Sequence, residues 1–405
     1  MQIELRINDS ADPKARYVSW APSPCSVRLS DPTGASQPVQ VTLRQKPAAT
    51  GGQVRFRDGP SASAKTSLSL TLPLAGAPVP FFLTGVFGRA SVMDGDVTVE
   101  VRAGTQVLGS VPLMVRVRKD AAKLTAPERD RFVAALAKFN DRGAGGFAAF
   151  RAMHTDLTSP EAHGAPGFLP WHRAYLLDLE RELQAIDSSV ALPYWRFDRP
   201  APALFTPAFL GRSDSNGTVH FASTNPLQFW VTDGVPGINR RPFFVTGTAS
   251  ANVITEAQTL ALGNQYAQFL RMEGNPHGFA HTSFGGSISS IDTAAKDPLF
   301  FLLHANVDRL WAKWQRRFGR FDPALAASFA NGPSRIGHNL PDTMWPWNGI
   351  TGGQRPATAP GGDLAASSCV TAPGAKPKVR DMLDFQGAVA PHSQLGFDYD
   401  DVRFA

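Results

Sequence analysis

Residues 168–183 read FLPWHRAYLLDLEREL. His172, Leu176, Leu179 and Leu183 recur at helical spacing, so one imidazole lies in line with an apolar helix face. Residues 297–311, DPLFFLLHANVDRLW, repeat the pattern: Phe300, His304, Val307 and Trp311 share one stripe, and Trp314 continues it. His154 lines up in the same way with Phe147, Phe150 and Leu157. Three histidines on three predicted helices therefore face an apolar interior. His277 and His281 stand one turn apart on one face of a fourth predicted helix, and only His163, between Pro160 and Gly164, is expected on a loop.

An imidazole facing a core needs a partner for each ring nitrogen. A carbonyl satisfies one such ring. Six buried imidazoles with few carboxylates nearby are costly, and metal coordination removes the cost: each neutral ring gives one nitrogen to a metal and its other N–H to a protein acceptor. The histidines form two groups of three, His154, His163 and His172, then His277, His281 and His304. All-imidazole ligation suits copper, zinc, iron or nickel. Two trios on facing helices suit a dinuclear site in the core of a helix bundle. Ligand chemistry alone leaves copper and zinc open. His220, His338 and His392 fall outside both groups and are expected to be surface or loop histidines.

Upstream, the period of the sequence changes. Residues 1–120 alternate like strands: Ile3, Leu5, Ile7; Cys25, Val27, Leu29; Val39, Val41, Leu43; Val54, Phe56; Leu68, Leu70, Leu72; Val97, Val99, Val101; Leu113, Val115, Val117. Turn signals at Asp31-Pro32-Thr33-Gly34, Asp58-Gly59-Pro60 and Asp94-Gly95 separate them. About seven short strands predict a β-sandwich of immunoglobulin type. The run Pro78-Val79-Pro80-Phe81-Phe82 is either a further buried strand or an aromatic plug for a neighbouring cleft. From residue 121 to 405 we expect a mainly α domain with a four-helix-bundle core. Thr125-Ala126-Pro127-Glu128 has capping-box form and starts its first helix; Pro170, Asn275-Pro276 and Asp297-Pro298 mark three more starts. Residues 351–380, rich in Gly, Ala and Pro, predict a surface loop.

The formal net charge of +6 is spread along the 405 residues without a basic run, which argues against a nucleic-acid partner. No window approaches a membrane span, so no membrane partner is expected. The N-terminus MQIELRINDSADPKAR lacks a charged leader followed by an apolar stretch. With Cys25 and Cys369 as its only cysteines, the chain cannot build a disulfide scaffold, and a cytoplasmic location is expected, co-export with a partner staying open.

The histidine motifs resemble those of the tyrosinase, catechol oxidase and hemocyanin family. His163-Gly164 with Phe168-Leu169-Pro170-Trp171-His172-Arg173 is similar to its first copper signature. Asn275-Pro276-His277-Gly278-Phe279-Ala280-His281, Gly285-Gly286, and Asp297-Pro298-Leu299-Phe300-Phe301 through His304-Ala305-Asn306-Val307-Asp308-Arg309-Leu310-Trp311 are similar to its second. Leu192-Pro193-Tyr194-Trp195 also fits, and Leu395-Gly396-Phe397-Asp398-Tyr399 resembles the motif that closes the family's catalytic domain. The resemblance covers roughly residues 125–405. It implies two copper ions that bind dioxygen, the first held by His154, His163 and His172 and the second by His277, His281 and His304. It further implies oxidation of o-diphenols, and of monophenols after ortho-hydroxylation, to o-quinones. The separate C-terminal shielding domain of many plant and fungal relatives is expected to be absent. A small phenol is the implied substrate; a homo-oligomer and a copper-delivery partner stay open.

The same resemblance assigns supporting roles. Glu273 is the candidate for the family's water-holding glutamate, and a solvated acid at a helix start is the plainer alternative. Phe300 is expected to pack across the ligands. Asp308 is expected either to hold a ligand ring or to pair with Arg309. Three departures stand out. Gly278 replaces the asparagine that many relatives carry after the first histidine of the second site, which puts strong monophenol hydroxylation in doubt. Leu303 replaces the first of a histidine pair. Glu161-Ala162 before His163 excludes the cysteine–histidine thioether of plant and fungal relatives. Rival activities are an o-aminophenol oxidase, a hemocyanin-like reversible oxygen carrier and a di-zinc hydrolase. The carrier is disfavoured because its β domain normally follows the copper domain, and the hydrolase because carboxylate ligands are missing.

Overall fold

The computed structural model describes residues 1–155, 159–332 and 336–404. Its contacts divide the chain into two compact units. One comprises Met1–Val117, Ser367–Ala372 and Gln386–Ala405; the other comprises Arg118–Ala366 and Pro373–Phe385. The expected boundary at residue 120 falls after Val117, and the expected second domain, residues 121–405, is not continuous.

The first unit holds nine strands: β1 (Gln2–Ile7), β2 (Tyr17–Val18), β3 (Ser23–Asp31), β4 (Val39–Gln45), β5 (Val54–Arg57), β6 (Ser67–Leu72), β7 (Val79–Gly85), β8 (Val97–Ala103) and β9 (Gln106–Val115). They form two sheets, in the orders β1-β3-β7-β5 and β2-β9-β8-β4-β6. Registers such as Ile3↔Leu29, Leu5↔Val27 and Ile7↔Cys25 put the apolar members of the alternation on one face. The two sets of inward side chains, among them Val27, Phe56 and Leu83 from one sheet and Leu43, Val99 and Val115 from the other, join in one buried core.

The run at Pro78–Phe82 is strand, not plug. Phe81 pairs with Cys25 and is fully buried in this core. Pro80 is tolerated because β5 pairs β7 only from Phe82 to Gly85, so its missing N–H faces no neighbour.

The Leu395–Tyr399 run, expected to close the helical domain, belongs to this β unit. The Asp398 carboxylate accepts the backbone N–H groups of Trp20 and Ala21, at 2.9 and 3.1 Å, on one oxygen. Its other oxygen accepts Gln386 Nε2 at 2.6 Å. Trp20 Nε1 donates to the Tyr399 carbonyl at 2.8 Å. Both cysteines are buried free thiols, and burial pushes that of Cys25 up to about 12.

The second unit carries α1 (Ala126–Asn140), α2 (Phe147–Arg151), α3 (Ser159–Ala162), α4 (Phe168–Ile186), α5 (Glu256–Leu260), α6 (Tyr266–Phe269), α7 (Phe279–Thr282), α8 (Ile291–Ala294) and α9 (Leu299–Phe318). Thr125 and Glu128 close the capping box at α1. α4 packs against both α1 and α9. Between α6 and α7 the chain stays helix-like, through a 3-10 turn at Leu270–Glu273 and a π turn at Gly274–Gly278. Asn275 leaves helical geometry at φ −139° and ψ 119°, so Asn275-Pro276 interrupts a helical run where the sequence predicted a start. From Gly319 to Lys378 the described residues form neither helix nor strand. Among the described residues no helix is long and apolar enough to cross a membrane.

A buried ionic cluster ties α4 to α9. Arg173 Nε donates to Asp308 Oδ1 at 2.6 Å, and Arg118 bridges Asp308 Oδ2, at 3.2 Å, and Glu180 Oε2, at 2.9 Å. The Arg173 guanidinium also lies 3.7 Å from the Trp311 ring centroid. Arg309 donates to Glu256 and Asn306.

Asp398→Ala leaves three buried donors without their acceptor and should destabilise the β unit by about 2–4 kcal/mol. Asp398→Asn, which keeps one oxygen, should lose less. Denaturant unfolding followed by tryptophan fluorescence measures both.

Candidate metal centre

The two histidine trios lie together in the second unit, and in each the candidate ligand atoms fall within 4.8 Å of one another. His172 and His304 project from the second turns of α4 and α9, both fully buried. Their rings stack at 4.2 Å between centroids, 7° from parallel, so the trios face each other across this pair. The His163 and His277 rings are 6.4 Å apart.

The remaining ligand candidates sit on shorter pieces of chain. His154 was expected on a helix, but α2 ends at Arg151 and His154 lies in a bend beyond it. Leu157, expected on its stripe, lies outside the described residues. His163 follows α3 in a bend, as a loop-borne ligand would. His277 occupies the π turn and His281 occupies α7, so the one predicted helix is two unlike turns.

Backbone carbonyls set the orientation of four rings. Nδ1 of His154 donates to Ile291 O at 3.1 Å, and that of His172 to Phe168 O at 2.9 Å. Nδ1 of His277 donates to Glu273 O at 2.8 Å, and that of His281 to Ile288 O at 2.7 Å. Since a carbonyl only accepts, each Nδ1 carries the proton and each Nε2 presents a lone pair. Nε2 of His304 lies 3.1 Å from that of His281 and 3.3 Å from that of His277. Nε2 of His154 and of His172 are buried without a hydrogen-bond partner. A buried nitrogen lone pair without a donor is costly unless a cation accepts it, and neither trio includes a carboxylate. The donor set therefore fits two cations that accept neutral imidazole. Burial is the main cause that drives the His154, His172, His277 and His304 rings well below the usual histidine range; it brings His281 down to about 4. All five are neutral at physiological pH, which is the ligating form.

The centre opens on a cleft of about 400 Å³. Glu273, Gly278, Ile288 and Ile291 line it beside four of the histidines. The Glu273 carboxylate accepts the Gly164 N–H at 2.7 Å, which joins the residue after His163 to the run that carries His277. Gly164 has φ +68°, a conformation that favours glycine. Burial raises the Glu273 carboxyl to about 7 against that hydrogen bond. Phe300 packs 4.2 Å from the His304 centroid and 4.8 Å from that of His154. A Cβ on Gly278 would meet only Glu273 O, at 3.5 Å, so the cleft has room for a side chain there. Leu303 is buried. Asp308 goes to the ionic cluster described above.

Sequence reasoning missed two features. His338, expected at the surface or in a loop, lies in a loop but is fully buried: its Nδ1 accepts the Gly167 N–H at 3.0 Å and its Nε2 donates to Pro160 O at 2.9 Å. It thereby clamps both ends of the loop that carries His163, and no pattern in the surrounding residues signals this. The second is the segment Ile288–Ile291, whose backbone oxygens hold His154 and His281. Carbonyl roles leave no mark on residue type. His220 and His392 are exposed, and His220 pairs with Asp214 at 3.0 Å.

A family described as the common central domain of tyrosinase matches residues 144–317. The chain is 36% identical to the tyrosinase of Streptomyces glaucescens over 268 residues, 57% of this chain and 92% of that protein. It is 31% identical to hemocyanin 1 of Megathura crenulata over 224 residues, 49% of this chain but 6% of the hemocyanin. Among solved structures, deoxygenated hemocyanin from Rapana thomasiana superposes with a TM-score of 0.48 at 22% identity, over 71% of this chain and 70% of that one.

His172→Ala and His304→Ala each remove one of three donors from one trio. Either substitution should lower the metal content of the purified protein from about two ions per chain toward one. Inductively coupled plasma analysis measures it, and full occupancy in either variant would contradict the arrangement.

Proposed function

This chain belongs to the tyrosinase family of type-3 copper proteins, and from that membership we propose how its residues share the work of phenol oxidation. It is a tyrosinase-type copper oxidoreductase. Its cofactor is a pair of copper ions, its co-substrate is dioxygen and its substrates are phenols. On our reading His154, His163 and His172 hold the first copper, and His277, His281 and His304 hold the second. The observation that carries this reading is the convergence of two facing histidine trios, four of whose rings present a proton-free Nε2, beside an open cleft. The helical core is read as a four-helix bundle of α1, α4, α9 and the broken run from α6 to α7. The two-sheet unit is read as an immunoglobulin-like sandwich, supported by its shared core and short strands.

Bound copper supplies the redox couple that passes two electrons from a catechol to dioxygen, leaving an o-quinone. The protein does the rest. Phe300 covers one side of the His304 and His154 rings, so a phenol enters from the cleft, along Gly278, Ile288 and Ile291. Those apolar walls hold the ring and keep bulk water from it. Glu273 is fixed by the Gly164 N–H and faces the same space, where its carboxylate can take the phenol proton directly or through a water. With Gly278 beside it, no side-chain amide is available to orient that water. We therefore read the enzyme as stronger on diphenols than on monophenols.

The direct test is oxygen uptake by the copper-loaded enzyme on 4-methylcatechol and tyramine side by side. Rapid uptake with 4-methylcatechol and slower uptake with tyramine is expected; uptake with neither, at full copper loading, would refute the reading. Gly278→Asn should raise the tyramine-to-catechol rate ratio by about tenfold, below the full effect of a general base because the amide only orients the water that Glu273 holds. An unchanged ratio would remove Gly278 from the account.

A further inference from the structure

Helix α7 separates the copper cleft from a second hollow. Gly278, His281 and Thr282 face the cleft, whereas Phe279, Thr282 and Ser283 face a neighbouring pocket of about 230 Å³. Thr282, which is exposed, lines both, so a single residue stands between the two spaces. Phe243 and Phe244 form the opposite wall, and among the described residues none that lines this pocket is charged.

Two features mark it as more than a surface dent. Its aromatic side chains stand in solvent: Phe243 is 62% exposed and Phe279 is 44% exposed. Exposed aromatics grouped beside a cleft are characteristic of binding surfaces. The wall that carries them is also fixed to the copper-bearing run. Phe243 N donates to Ser283 O at 2.9 Å, within a short pairing that sets Pro242 against Phe284. Asn275, two residues before His277, receives the Ile254 N–H at 3.0 Å and donates to Asn252 O at 3.0 Å. Phe244 packs edge-on against Phe284 at 5.3 Å. The Thr282 hydroxyl turns back to Gly278 O at 3.0 Å, so the ridge presents no free donor to a ligand crossing it.

We propose that this pocket is a substrate subsite for the uncharged aryl end of an extended phenol, whose hydroxyl-bearing ring lies in the copper cleft. The inference rests on the phenol-oxidase reading. A ring that points its hydroxyl at the metals points its para substituent toward the cleft mouth, where a substituent that crosses the exposed Thr282 reaches Phe243 and Phe279. The preferred substrates are then para-substituted phenols carrying a second apolar ring, not single-ring or charged ones. Cleft and pocket together have the size of sites that hold multi-ring ligands.

The test compares the copper-loaded enzyme on 4-methylcatechol and on 4-(2-phenylethyl)catechol. The ratio of kcat/KM, extended over short, should be about ten or more in the native enzyme, and Phe243→Ala and Phe279→Ala should each lower it about threefold to tenfold, through KM. Calorimetry with the unreactive pair 4-(2-phenylethyl)benzoate and 4-methylbenzoate should show the same loss of preference. A ratio near one in the native enzyme, or one that neither variant changes, overturns the subsite. Self-association abolished by Phe243→Ala, with no change in the ratio, would give the pocket to a second copy of the chain and also overturn it. If neither catechol is oxidised, the phenol-oxidase reading fails on its own, and the calorimetric preference still decides whether an aryl group binds here.

Discussion

Six imidazoles that converge in two trios, four of them buried, cannot be stable by packing alone. Nε2 of His154 and that of His172 have lost their water and gained no donor. The protein accepts this arrangement because the opposite nitrogens are anchored. Carbonyls of Ile291, Phe168, Glu273 and Ile288 hold four rings by Nδ1–H, which fixes both tautomer and direction. A metal cation is the one kind of partner that turns the convergence into a net attraction.

The scaffold keeps these rings in place from the far side. One residue beyond His172, and one turn beyond His304, Arg173 and Asp308 join α4 to α9 through buried charge, with Arg118 and Glu180 completing the set. A buried cluster of this kind adds little net stability, but losing one member leaves an uncompensated charge worth about 3–5 kcal/mol. That makes the separation of the two helices, and hence the His172–His304 stack, hard to change. His338 does the same for the loop of His163, and the Glu273 carboxylate, on the Gly164 N–H, joins the two halves of the centre at the cleft wall.

Much of this was legible in the residues. Helical spacing places His172 and His304 on buried stripes, and period-two alternation marks the strands that fill the β core. Other parts were hidden, for physical reasons. The periodicity that put His154 on a helix extends past the point where the chain bends away. Proline at position 276 reads as a helix start, although the run on either side is helix-like. The C-terminal motif resembles the end of a catalytic domain, yet Asp398 finds its donors at Trp20 and Ala21, more than 370 residues earlier, a pairing that no local pattern encodes. The run at Pro78–Phe82 was legible as a buried strand, with an aromatic plug as the alternative, and Val79–Gly85 is a strand. His338 and the Ile288–Ile291 carbonyls act through tertiary position alone.

The central claim is that two cations, each bounded by one histidine trio, occupy the space between α4, α9 and the α6–α7 run. Anomalous diffraction at the copper edge from crystals of the copper-loaded protein tests it most directly. The account predicts two peaks, one enclosed by His154, His163 and His172 and the other by His277, His281 and His304. A single peak, or copper bound elsewhere with these imidazoles unliganded, would contradict it.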